Sequence, residues 1–159
     1  MRIVAAVVCL LAAAPAAAQN ANRVAEQEAR TWLKPCKERT KDLQGLCLQN
    51  QGNFIEQYIY AKAGDPSAMG STSASFRKTS LNDPDYYRIG MPQSLVQSCA
   101  WQAVRMASTR GQAAVSGQRD AMDSICAPLS MNEAAAANER ANRLLFELRT
   151  NPARMPADD

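Results

Sequence analysis

Ser94-Leu95-Val96-Gln97-Ser98-Cys99-Ala100-Trp101-Gln102-Ala103-Val104-Arg105-Met106-Ala107-Ser108-Thr109 is the stretch that decides the fold. Leu95, Val96, Cys99, Ala100, Ala103, Val104 and Ala107 recur in pairs four residues apart, which is the apolar stripe of an amphipathic helix. Gly111 ends it. A second helix is expected from about Ala113 to Ala127, with Val115, Met122, Ile125 and Cys126 on its stripe. The turn near Arg110–Gln112 lies almost midway between Cys99 and Cys126. Folding the two helices back on each other there puts both thiols at matching heights. Bridged Cα atoms must lie within about 7 Å, so the two cysteines are positioned to pair.

The same helical grammar continues in both directions. Upstream, a first helix is expected from about Asn20 to Lys34, with Val24, Ala25, Ala29, Trp32 and Leu33 as its stripe. Pro35 disfavours helical backbone at Lys34 and stops it. The next pattern begins at Cys36 and is strong from Leu43 to Ala63. It places Cys47, Leu48, Gln51, Phe54, Ile55, Tyr58, Ile59 and Lys62 on one side. Gly45 and Gly52 weaken this helix by about 1 kcal/mol each relative to alanine, which marks a place for a break. Gly64 is a C-terminal cap, Asp65 an N-cap and Pro66 a first helical residue, so a short helix follows to about Ser75. Phe76 to Gln93 has no periodicity and holds the turn clusters Asn82-Asp83-Pro84-Asp85 and Gly90-Met91-Pro92. A loop of this length inside a compact domain is uncommon, and it is either packed through Tyr86, Tyr87 and Ile89 or a contact surface. Downstream, Ser130-Met131-Asn132-Glu133 is a capping box. It opens a last helix with Ala134, Ala137, Ala141, Leu144, Leu145 and Leu148 buried, and Glu139–Arg143 as a surface pair. Residues 151–159 read as a flexible C-terminal tail. The fold class is all-α: disulfide-braced helical hairpins in one domain, 19–150, with an irregular loop at 76–93.

The chain starts with the three-part pattern of a secretory signal. Met1-Arg2 supplies one charge, Ile3 to Ala14 is almost entirely apolar, and Ala16-Ala17-Ala18 precedes the polar Gln19. The run is too short for a stable transmembrane span. Residues 1–18 are therefore expected to be removed, leaving about 141 residues, enough for one domain with a core. Cys9 is lost with the signal; Val7 and Val8 before it, and the apolar run beyond it, do not fit a lipoprotein cysteine. Of the 5 cysteines, Cys36, Cys47, Cys99 and Cys126 remain. In an exported chain an even set reads as two disulfides, and the helix pattern favours Cys36–Cys47 and Cys99–Cys126 among the three possible pairings. Each closure contributes about 3 kcal/mol.

The sequence contains no histidine, which removes Ser-His and Cys-His nucleophiles and nearly all common zinc sites. Without Arg2 there are 17 basic residues against 15 acidic, interspersed, with no basic stripe for nucleic acid and no basic amphipathic face for anionic lipid. Stable membrane insertion after signal removal is not expected. Gln97-Ser98-Cys99-Ala100-Trp101 has the outline of a cysteine-protease nucleophile but no histidine to activate it, and reads as a half-cystine beside a tryptophan. Ser75-Phe76-Arg77-Lys78 fits S-x-x-K without the S-D-N and K-T-G partners of penicillin-recognising enzymes. Asp83 and Asp85 read as a proline-containing turn, because no further calcium ligands follow. Glu26, Glu28, Glu38 and Glu56 are candidates for a raised-pKa general acid, set against solvated helix faces. No cofactor and no metal site is expected.

Tyr60-Ala61-Lys62-Ala63-Gly64-Asp65-Pro66-Ser67-Ala68-Met69 resembles the junction between successive Sel-type repeats, the bacterial relatives of tetratricopeptide repeats. Ala100-Trp101-Gln102-Ala103-Val104-Arg105-Met106-Ala107, followed by Gly111 and Ala113-Ala114, resembles the same junction. The match covers about a fifth of the chain. Gly64 and Gly111 stand farther apart than one repeat is long, so the irregular loop becomes an insertion. The Leu-Gly that such repeats carry later in their first helix is missing after Met69. The resemblance implies stacked helical hairpins and protein–protein contacts. The resulting expectation is a periplasmic or secreted, non-catalytic protein-interaction module whose partner is another envelope or secreted protein. Tyr86, Tyr87, Trp101, Tyr58 and Tyr60 are its candidate partner-binding residues, because tyrosine and tryptophan are enriched at binding hot spots. The competing expectations are a small peptidoglycan-directed hydrolase using one glutamate, and an exported inhibitor or immunity protein.

Overall fold

The computed structural model describes residues 19–37, 40–77, 89–109, 115–150 and 153. These residues form helices joined by turns, with no strand among them. The helices are α1 (19–32), α2 (Lys41–Lys62), α3 (Pro66–Ser75), α4 (Leu95–Ser108), α5 (Val115–Cys126) and α6 (Met131–Thr150). The all-α, disulfide-braced class expected from the sequence is the observed one.

Short polar side chains set the helix starts by satisfying backbone N–H groups that have no partner within the helix. Thr40 Oγ1 accepts from Leu43 N–H at 3.3 Å and opens α2. Asp65 Oδ1 accepts from Ser67 N–H at 2.7 Å and Ala68 N–H at 3.3 Å, with Pro66 in the first turn of α3. Ser94 Oγ accepts from Gln97 N–H at 3.2 Å and opens α4. Ahead of α6 the capping box closes in both directions. Ser130 N–H donates to Glu133 Oε2 at 2.9 Å, and Glu133 N–H donates to Ser130 Oγ at 3.4 Å. Between α2 and α3 the backbone turns at Gly64, whose φ of +97° lies in the region glycine adopts at little cost.

Two expectations about the early helices need correction. α2 runs unbroken through Gly45 and Gly52. Its buried Cys47, Phe54, Tyr58 and Ala61 gain more from packing than the two glycines lose in propensity. Val24 and Leu48, expected on buried stripes, are 49% and 59% exposed. The rest of the expected α1 stripe faces inward: Ala25 and Ala29 are buried together with Ala21, and Trp32 and Leu33 pack against the core.

α4 is the hub. It packs against α3, α5 and α6, while α3 also packs on α2 and α6 makes a smaller contact with α2. Successive helices from α2 to α5 pair as hairpins require; α6 departs from that succession by lying on α4. The core runs through the bundle as a chain of ring contacts. Trp32 meets Phe76 edge-on at 5.4 Å, Phe76 meets Phe54 at 5.4 Å, Phe54 tilts against Tyr58 at 5.8 Å, and Tyr58 meets Trp101 edge-on at 5.4 Å. Such pairs add about 0.5–1.5 kcal/mol each beyond their buried area. The α3–α4 seam is fastened by a fully buried serine pair. Ser73 Oγ donates to Ser98 O at 2.8 Å and Ser98 Oγ donates to Ser73 O at 2.9 Å.

Both expected disulfides are present. Cys36–Cys47 spans 5.8 Å between Cα atoms and Cys99–Cys126 spans 5.3 Å. The second bridge joins α4 to α5 beside a small apolar cluster of Ile125 and Ala137. The turn expected at Arg110–Gln112 lies outside the described residues. In the expected tail, Ala153 is buried and its N–H donates to Lys62 O at 3.1 Å, so the chain beyond α6 is tied to the end of α2 at that point.

Candidate functional site

The ends of the 76–93 loop are the first feature. Phe76 is fully buried and Met91 is 7% exposed, so both ends enter the core. Ser94 N–H donates to Phe76 O at 2.8 Å, which closes the base of the loop. A second tie lies at Gly90, whose carbonyl accepts from Lys34 N–H at 3.1 Å and from Gln51 Nε2 at 3.3 Å. Gln51 Nε2 also donates to Lys34 O at 2.5 Å. Gly90 has φ +74° and rests on the first disulfide. A Cβ here would collide with Cys47 Sγ, come within 2.8 Å of Gln51 Nε2 and 3.4 Å of Cys36 Sγ. The Cys36–Cys47 bridge thus forms the seat on which the returning end of the loop sits. Tyr86 and Tyr87 lie between these ties, outside the described residues, as do Asp83 and Asp85.

The other aromatic candidates are relocated by the structure. Trp101 and Tyr58 are completely buried, with 0% exposure each, so neither offers surface to a partner; both are core residues. Stripe position alone does not tell a core ring from a surface ring on a short amphipathic helix. Tyr60 is partly buried and packs against the same core. Cys99 is a half-cystine, as its missing histidine partner required. Ser75 Oγ donates to Ser71 O, which leaves its hydroxyl engaged within α3, and Lys78 lies outside the described residues.

The second feature is a line of charges across α1, α2 and α6. Glu28 of α1 pairs with Lys62 of α2 at 3.0 Å and with Arg140 of α6, and Lys62 also pairs with Glu147 of α6. Arg140 donates further to Tyr58 Oη at 3.0 Å and to Gln97 Oε1 at 3.3 Å. The Lys62 and Arg140 side chains retain only 11% and 12% of their exposure, against 27% for Glu28. Burial pushes the Glu28 carboxyl up. The charges of Lys62 and Arg140, with hydrogen bonds from Lys62 and Tyr58, outweigh that and hold it below its ordinary value. Burial and then the Glu28 charge push the Tyr58 hydroxyl above its ordinary value, so it stays protonated.

This charge state bears on acid–base chemistry. A general acid of the expected kind needs a carboxyl whose pKa is raised. Glu28 has the opposite environment. Glu26 is paired with Arg30 at 2.7 Å on the surface, Glu56 is exposed, and Glu38 lies outside the described residues. Among the described residues no group of three or more Cys, Asp or Glu side chains is placed to hold a metal, and no helix is long and apolar enough to cross a membrane.

Arg140, Glu147 and Gln97 are not among the residues the sequence motifs single out. The signal that finds them is a polar residue inside an apolar stripe. Arg140 falls between Ala137 and Ala141, and Gln97 between Val96 and Cys99. Lys62 falls on the inward side of its helix by periodicity, which names no partner for it. A charge at such a position needs a counter-charge from a neighbouring element. No family model matches the chain, and neither the curated proteins nor the solved structures contain a match to it.

Proposed function

We propose that this protein is an exported, non-catalytic interaction module, acting in the periplasm or outside the cell on another envelope or secreted protein. The observation that carries the reading is the loop base. A stretch bearing two adjacent tyrosines is held at both ends, by Ser94–Phe76 and by Gly90 on the Cys36–Cys47 bridge. Binding segments are commonly loops displayed from a rigid scaffold, and a fixed base lowers the ordering cost of docking. Export is supported by the signal pattern in 1–18 and by two closed disulfides, which persist in oxidising compartments. At Tyr60–Met69, where the sequence resembles a Sel-type junction, one helix ends, the chain turns at Gly64 and Asp65 caps the next helix.

Tyr86 and Tyr87 are the partner-binding residues of this reading; Tyr58 and Trp101 are withdrawn from it. Affinity capture from an envelope extract tests it, with Tyr86→Ala and Tyr87→Ala proteins run beside the original. Partner recovery should fall at least tenfold in one of the variants while the thermal transition is unchanged. Equal recovery from all three proteins contradicts the loop assignment.

A further inference from the structure

We propose that the N-terminal part of α1 is a releasable arm, docked by one carboxylate, Glu28, shared between Lys62 of α2 and Arg140 of α6. Acid detaches it while α2 to α6 remain folded.

The argument starts from how differently the two ends of α1 are held. At its C-terminal end Trp32 stacks edge-on against Phe76 and Leu33 packs on the core. Lys34 N–H is bonded to Gly90 O, and Cys36 is bridged to Cys47. Before Trp32, the buried apolar side chains are Ala21, Ala25 and Ala29. Alanine carries the least apolar area of any stripe residue, so burial alone docks this segment weakly. Glu28 is its strong contact, and it faces cations from two other helices.

Protonating Glu28 affects the two cations unequally. Lys62 keeps Glu147. Arg140 keeps direct hydrogen bonds only to the neutral Tyr58 hydroxyl and the Gln97 amide oxygen, at 12% side-chain exposure, with the Glu147 charge acting on it without a direct bond. A guanidinium that loses its directly paired carboxylate at that depth is costly, and withdrawing α1 admits water to it. The remaining charged residues named on α1 do not compete for these cations: Arg30 pairs with Glu26, and Arg23 Nη2 donates to Asn20 Oδ1. Because Lys62 and Arg140 favour the ionised carboxylate, release falls below the ordinary glutamate range rather than within it. The covalent and aromatic ties at Trp32–Cys36 make that end the pivot. The Ser73–Ser98 and Cys99–Cys126 ties within α3, α4 and α5 hold no titratable group and are indifferent to acid.

Amide hydrogen exchange by mass spectrometry on the oxidised full protein tests this, with rates corrected for intrinsic pH dependence. Glu28→Gln at pH 7 should speed exchange in residues 19–30 at least tenfold while α4 changes less than twofold. Acidifying the original protein should produce the same regional pattern. Glu147→Gln, which removes a partner of Lys62 but leaves Glu28 in place, should keep α1 protected within twofold. A smaller effect of Glu28→Gln on residues 19–30 overturns the proposal, as does parallel deprotection of α4. Release of α1 by Glu147→Gln overturns it as well, because the shared carboxylate would then not be the latch.

Discussion

Replacing Gly90 by alanine probes the loop base directly. The residue sits at φ +74°, where an L-residue costs about 1–2 kcal/mol. Its new methyl would also collide with Cys47 Sγ and crowd Gln51 Nε2. Cys47 is fully buried and covalently fixed to Cys36, so the sulfur has little room to yield and the loop backbone must move instead. That movement weakens the two hydrogen bonds accepted by the Gly90 carbonyl, each worth about 1 kcal/mol net. The expected loss is about 3 kcal/mol in urea unfolding of the oxidised protein. At a slope near ~1.5 kcal/mol per molar urea this moves the midpoint by about 2 M. Gly64→Ala is the internal control. It has φ +97° but open space around its Cα, so it carries the backbone term alone, about 1 kcal/mol. If the two alanine variants lose the same stability, the disulfide does not seat the loop and the reasoning fails.

The remaining predictions concern the core and the charges. Trp101→Ala should cost about 4 kcal/mol, because it empties a fully buried site at the α4 hub, and calorimetry should show the loss as a lowered transition. Ser73→Ala and Ser98→Ala should each cost about 1–2 kcal/mol, since each removes a buried hydroxyl's hydrogen bond across the seam; because the two hydroxyls also contact each other, the double variant should lose clearly less than the sum, read from a denaturant double-mutant cycle. The contribution of Glu28 should be complete above its unbound value of 4.5 and disappear as pH falls through the lower folded value, so stability should decline with acid in the original protein and more weakly in Glu28→Gln.

Helix positions were legible because local rules and tertiary packing agree at their ends. Asp65 and Ser130 read as caps in the sequence and cap in the fold; Thr40 and Ser94 cap as well, at starts that the apolar pattern marks without naming the cap. The disulfide pairs followed from helix geometry, since Cys99 and Cys126 fall on facing stripes. Legibility ended where orientation mattered. Val24 and Leu48 look inward by periodicity alone, yet both stripe-edge residues face out; on α1 the alanines Ala21, Ala25 and Ala29 lie on the core, and Glu28 beside them meets Lys62 and Arg140. The charge line itself joins residues distant in sequence, and no local pattern encodes which cation meets which carboxylate. Gly90 read as a turn residue, but its contact with the first disulfide depends on the fold of residues far upstream.

Intact mass and a non-reduced peptide map of the protein recovered from the extracytoplasmic fraction of its native host test the central claim most directly. The account predicts a chain beginning at Gln19 with two bridges, Cys36–Cys47 and Cys99–Cys126. Recovery only from the cytosol with free thiols, or a Cys36–Cys99 bridge, would contradict it.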